Sequence, residues 1–249
     1  MGKFFVATYP LVMYVYCLNS FGGLEHDRIN TRLSDNPAVT GEVTPHELIA
    51  LSLGGAFFSG LLYYFWFPHC LLPWLLIVAN WTLYSHPRIY AKSKPLFGTL
   101  VHFVGGVLQF VLGYAAVRPV DLDGVLVAIY FSLVFSAGHL NHEVKDHDPD
   151  KEAGLQTNAV IFGPRRMFAV AFLVFTLAFL YLFALSLCGA IAWRYAAPYL
   201  AIYPLHLLLH LRATRGDWRG YDRTYQVVYR SLFVIAGVAL AVGKWSALQ

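Results

Sequence analysis

Eight apolar runs, at residues 3–21, 47–67, 69–84, 96–117, 122–140, 167–190, 194–211 and 227–243, occupy most of this 249-residue chain. A helix needs roughly 20 apolar residues to cross a bilayer. In lipid, with no water to pair exposed backbone groups, continuous helices are the economical solution. The pattern therefore predicts an all-α, polytopic transmembrane helix bundle of about eight spans, as a single domain over residues 1–249. Composition agrees, because only 13% of residues are charged, about half the usual share of a soluble domain. A net charge of +4 gives no case for a nucleic-acid partner. Cys17, Cys70 and Cys188 lie singly in apolar runs, without the spacing of a zinc site or a disulfide framework. No small-residue cleavage pattern follows the first run, so it reads as a mature span.

The few carboxylates are not spread evenly. Of 14, five (Glu25, Asp27, Asp35, Glu42, Glu47) fall in one early polar segment, and five more (Glu143, Asp146, Asp148, Asp150, Glu152) fall within ten positions. With loops numbered alternately, 13 of the 18 Lys and Arg residues lie in segments 22–46, 85–95, 141–166 and 212–226. The excess of basic residues in cytoplasmic loops puts these segments on the cytoplasmic side, in a membrane expected to be the plasma membrane. Both acidic windows then share one face, an arrangement suited to holding a cation and whatever the cation binds.

Three stretches carry the chemistry. Asn19, Gly23 and Asp27 recur every four residues where the first span ends, and a polar Asn there is costly in lipid unless it faces a cavity. Glu143, Asp146 and Asp150 are spaced by three and four, so a helix continuing past His139 would present all three carboxylates on one face. Pro149 interrupts that ladder unless a helix restarts nearby. Between them, the basic, aromatic loop from Tyr84 to Gly98 holds Arg88, Lys92 and Lys94, cations able to capture phosphate. Positive-inside bias alone also explains those cations.

Taken together, these loops resemble the UbiA superfamily of membrane prenyltransferases. Asn19, Asp27, Ile29 and Asn30 fit that family's first Asp-rich motif, and Thr40-Gly41-Glu42-Val43-Thr44 resembles the segment that follows it. Tyr84, Ser85, Lys92 and Gly98 keep the spacing of its middle loop. Glu143, Lys145, Asp146 and Asp150 fit its second acidic motif, followed by Ala153-Gly154-Leu155-Gln156-Thr157 and Val160-Ile161-Phe162-Gly163. The resemblance implies transfer of a prenyl group from a polyprenyl diphosphate to a lipophilic acceptor within membrane lipid, assisted by Mg2+. It implies Asn19, Asp27, Asp146 and Asp150 as catalytic residues. Tyr84, Arg88, Lys92 and Lys145 would bind diphosphate, and Asp27, Glu143, Asp146 and Asp150 would be the metal ligands.

The departures are specific. Ser20 and Gly23 stand where the family's first motif has Asp, and the first motif follows the first span rather than the second, as if the family's first helix were missing. A UbiA-like membrane protein that binds a prenyl lipid or a partner without turnover is the alternative expectation. Two other membrane enzyme classes fail on motif. Asp123-Gly124 runs into apolar sequence, unlike a CDP-alcohol phosphotransferase. His142-Glu143 is followed by Asp146 where a zinc protease helix needs a second His.

Overall fold

The computed structural model describes residues 2–29, 36–215 and 225–235, and all the regular structure among them is helical. Among the described residues, five helices are long and apolar enough to cross a membrane: α1 (Gly2–Asp27), α3 (Pro45–Trp66), α5 (Phe97–Ala115), α6 (Leu122–Lys145) and α9 (Pro164–Leu187). Shorter helices complete the bundle: α2 (Pro37–Thr40), α4 (Leu71–Ser85), α7 (His147–Glu152), α8 (Asn158–Phe162), α10 (Trp193–Leu200) and α11 (Ile202–Arg215). A further helix, α12, covers 225–235.

All eight apolar runs contain helix, but only five of these helices, among the described residues, are that long, and proline chemistry explains part of the difference. Residues 69–84 become a 3-10 turn at Pro68–Cys70 and the 15-residue α4. At 1.5 Å per residue α4 covers about 22 Å, short of a hydrocarbon core of about 30 Å. The run 194–211 divides at Ala201 into α10 and α11. Pro204 cannot donate to the carbonyl of Leu200 and its ring crowds that carbonyl, which breaks the helical ladder at this point. The run 227–243 is helical as far as residue 235, and its remainder lies outside the described residues.

α1 packs against α3 and α4, α5 against α4 and α6, and α6 against α9. The buried side chains gather into two cores. One joins α1, α3, α4 and α5 through Leu11, Tyr14, Tyr63, Ile77, Trp81 and Leu112. The other joins α6 to α9–α12 through Tyr130, Phe168, Phe175, Phe179, Tyr199 and Tyr225. Outward faces remain apolar, with Phe5, Tyr9, Phe57, Phe65, Leu173 and Leu180 all exposed. Such large uncovered apolar surface is expected where lipid is the solvent, and the chain is an integral membrane protein. Hydroxyl groups cross-link the helices, from Ser59 Oγ to Ala7 O (2.8 Å), Ser52 Oγ to Tyr14 O (3.2 Å) and Tyr14 Oη to Val78 O (2.9 Å). Small polar side chains that bond across helices are characteristic of membrane bundles.

One close approach sets the position of the later site. A Cβ on Gly22 would lie 1.9 Å from the Ser85 carbonyl oxygen, so α1 touches the end of α4 backbone to backbone. Gly22→Ala should therefore separate the two helices despite the better helix propensity of alanine, lowering stability by about 1–3 kcal/mol. Gly54→Ala, where a Cβ meets nothing within 4 Å, should leave the melting temperature in detergent unchanged or slightly higher.

Candidate active site at the mouth of the bundle

Three chain segments converge at one end of the bundle, and each does so for a local reason. α1 continues through Gly22 and Gly23 to Asp27, which sets Asn19, Gly23 and Asp27 on one face. α4 stops at Ser85, and the connection to α5 turns sharply through two non-glycine residues at positive φ, Tyr90 (43°) and Leu96 (61°). α6 runs on to Lys145, and a new helix, α7, starts at His147. Pro149 falls in the first turn of α7, where a proline removes no helical bond. The restart keeps Asp150 one turn from Asp146, with Asp150 N–H donating to Asp146 O at 2.8 Å.

Between these segments lies a polar cavity of about 240 Å³. Of the expected site residues, Asn19, Asp27, Tyr84, Lys92, Glu143, Asp146 and Asp150 line it. The two acidic windows thus meet at one end of the molecule. Arg88 and Lys145, expected to bind diphosphate, are not among the lining residues. Arg88 sits exposed at the apex of a turn closed by Ile89 N–H and Tyr90 N–H on His86 O. Lys145, two positions beyond Glu143, is rotated about 200° around α6 from it. The remaining acids of the two windows serve elsewhere or point outward. Glu47 closes a capping box with Thr44 at the start of α3, Asp148 pairs with His147 at 2.7 Å, and Glu25 and Glu152 are exposed. Asn30 and Asp35 lie outside the described residues.

Lining residues not expected as site residues include Asn36, His139, His142 and Thr157. His139 lies one helical turn before Glu143, a signal available from i,i+4 spacing. Its Nε2 lies 3.1 Å from Glu143 Oε1, and its ring stacks on His102 of α5 at 3.9 Å between centroids. His142 contacts Arg230 of α12, and Gln226 of the same helix donates to Asn141 O at 2.9 Å, so α12 docks beside the cavity wall. Nothing in the local sequence announces Asn158, whose Nδ2 lies 3.1 and 2.9 Å from the two Glu143 carboxylate oxygens.

The donor set suits a hard cation. Asp27, Asp146 and Asp150 supply oxygen, and Asn19 Oδ1 is buried with no hydrogen-bond partner. Among the described residues no three His, Cys, Asp or Glu side chains form a ready metal cage. Mg2+ ordinarily keeps several waters and uses one or two carboxylates, so a loose ring of carboxylates fits it. The missing family carboxylate at position 23 has a steric counterpart. A Cβ on Gly23 would lie 3.3 Å from Asp27 Oδ2 and 3.5 Å from Tyr90 Oη, so a side chain there would press on Asp27 and touch Tyr90.

Charge is poorly compensated at Asp150. Burial pushes its carboxyl up to about 7; repulsion from Asp146 and Glu143 acts the same way, while Lys92 and Thr157 oppose it.

Comparison with known proteins gives a consistent picture. The UbiA prenyltransferase family model matches residues 1–233. A 4-hydroxybenzoate octaprenyltransferase of Dechloromonas aromatica is 27% identical over 149 residues, which are 59% of this chain and 49% of that protein. The chain therefore spans about half the length of that relative. A UbiA homolog from Aeropyrum pernix K1 superposes with a TM-score of 0.76 at 21% identity, over 97% of this chain and 88% of that one. A UbiA homolog from Archaeoglobus fulgidus, bound to DMAPP and Mg2+, superposes with a TM-score of 0.69 at 18% identity, over 98% and 87%. At these identities the structural matches establish the fold.

The Asp150 carboxyl yields a pH prediction. Its raised value means that the folded, metal-free protein holds a proton between about pH 4 and 7 that the unfolded chain has released. Stability in chelator should fall as pH rises from 5 to 8, and Asp150→Asn should flatten the melting-temperature profile. Affinity for Mg2+ should rise over the same interval, because binding must displace that proton.

Proposed function

Because the chain belongs to the UbiA prenyltransferase family, we propose that it transfers a prenyl group from a polyprenyl diphosphate to a lipophilic acceptor. The observation that carries this reading is the meeting of Asp27, Asp146, Asp150 and Lys92 around one polar cavity at the end of an apolar bundle. The reaction breaks an allylic carbon–oxygen bond, whose electron pair leaves with diphosphate. The acceptor's nucleophilic atom then bonds to the allylic carbon and gives up a proton. Negative charge grows on the leaving oxygens, so fixed cations aimed at them lower the barrier. A bound Mg2+ would supply most of that neutralisation. Asp146 and Asp150, with Asp27 and Asn19 opposite, would hold it through oxygen atoms and water.

Lys92 would pair directly with diphosphate oxygens. Tyr84 is the aromatic side chain lining the cavity, and a ring face there would stabilise the allylic cation. The isoprenoid tail would lie among the apolar helices. The whole chain would act as one domain, and the basic loop bias supports a plasma-membrane protein whose cavity opens to the cytoplasm. The Mg2+-bound Archaeoglobus homolog supports the choice of metal.

A second reading, binding of a prenyl lipid or partner without turnover, is favoured by Ser20 and by the crowded space at Gly23. Assays in proteoliposomes with labelled prenyl diphosphates and a panel of lipophilic acceptors separate the two. Transfer should require Mg2+ and should fall at least about 100-fold in Asp150→Ala. Lys92→Ala should mainly raise KM for the diphosphate, and Arg88→Ala should change little. Mg2+-dependent binding of the diphosphate without product would support the second reading. Transfer that survives intact in Asp150→Ala would defeat the first.

A further inference from the structure

Beneath the cavity floor, three segments distant in sequence are tied together by one buried amide. Asn158 is 1% exposed and opens α8. Its Nδ2 lies 3.0 Å from Thr99 Oγ1 of α5 and within 3.1 Å of both carboxylate oxygens of Glu143 on α6. An amide nitrogen has two hydrogens, so one serves Thr99 and the other is shared by the two Glu143 oxygens. Its Oδ1 accepts from Leu96 N–H at 2.7 Å. Leu96 is one of the two non-glycine residues at positive φ, a conformation that persists when surrounding contacts hold it. It also ends the connection that carries Lys92. Glu143 is itself only 6% exposed, and His139 packs over it, with Nε2 3.1 Å from Oε1.

Resting on the prenyl-transfer reading above, we propose that Glu143 is not a metal ligand. It is the fixed end of a clasp in which Asn158 is a positioning residue. The clasp holds the Lys92 connection at a set distance from Asp146 and Asp150. Both Glu143 oxygens already accept from a buried amide, and turning the carboxylate away toward a cation would leave that buried donor without its partner. The arrangement instead gives the site a rigid floor. Lys92, on an irregular connection, is then located by a side chain 62 positions beyond Leu96. Supporting groups of this kind typically alter affinity or activity by about 10–100-fold when removed.

The test uses the full-length protein in nanodiscs and three readouts. The first is Mg2+ affinity without substrate, followed by competition with Mn2+. Glu143→Gln, which still offers an oxygen to Asn158, should bind Mg2+ within about threefold of the parent, whereas Asp150→Asn should lose about tenfold or more. Equal losses in the two variants would overturn the proposal, because Glu143 would then be acting as a ligand. The second readout is hydrogen exchange of the Leu96 amide in chelator. It should accelerate at least about tenfold in Asn158→Ser, and unchanged exchange would likewise overturn the clasp. The third is kinetic. Asn158→Ser should raise KM for the prenyl diphosphate more than it lowers kcat, a split that a simple loss of folded protein does not produce; an unchanged KM would overturn the positioning of Lys92. The exchange measurement needs no catalysis, so a protein inactive toward every acceptor but with accelerated Leu96 exchange would sink the prenyl-transfer reading and leave the clasp standing.

Discussion

Charge beside lipid is expensive, and the placement of four carboxylates in an apolar bundle organises the rest of this structure. Asp27, Glu143, Asp146 and Asp150 share one small cavity with Lys92. Burial, with repulsion from Asp146 and Glu143, pushes the Asp150 carboxyl up to about 7. Groups of like charge are brought together at such cost chiefly where function needs them. The bundle tolerates the cluster because its polar floor is satisfied from below by Asn158, and because the cluster lies where helices end, not at their middles.

The geometry that gathers the cluster depends on backbone contacts more than on side-chain attraction. Gly22 lets α1 lie directly on the carbonyl of Ser85, which carries Asn19 and Asp27 toward the end of α4 and the connection that holds Lys92. The helix break between α6 and α7 turns Asp150 back toward Asp146. These are steric arrangements of main chain, so the acids meet even though they repel one another. A cation would relieve that repulsion, which is how binding a metal and ordering the site become linked.

The departures from the family pattern also acquire a physical form. Gly23 is not simply an absent acid, since a side chain there would press on Asp27. The first acidic segment therefore contributes one described carboxylate to the cavity, and the second contributes most of the charge. Glu143, similar in sequence spacing to a ligand, faces the Asn158 amide with both carboxylate oxygens. The site is accordingly asymmetric, with Asp146 and Asp150 on one side and Asp27 with Asn19 on the other.

Much of this was legible in the sequence, because hydropathy and helical spacing are local properties. Apolar run length gave the helical membrane class, and carboxylate density gave the two windows. Four-residue spacing gave Asn19 and Asp27, and the second window gave Asp146 and Asp150. The basic loop offered Arg88, Lys92 and Lys94, and of these Lys92 lines the cavity. Tertiary structure decided the rest. Prolines at 68 and 204 shortened or divided runs whose composition alone read as spans. Arg88, exposed on its loop, and Lys145, on a different face of α6 from Glu143, do not line the cavity, although both carry the right charge. His139 looked like an ordinary residue of an apolar run, and Asn158 like one polar residue in a loop. Their importance comes from where α5, α6 and α8 cross. No local pattern encodes a crossing of segments tens of residues apart, because it is set by how whole helices pack.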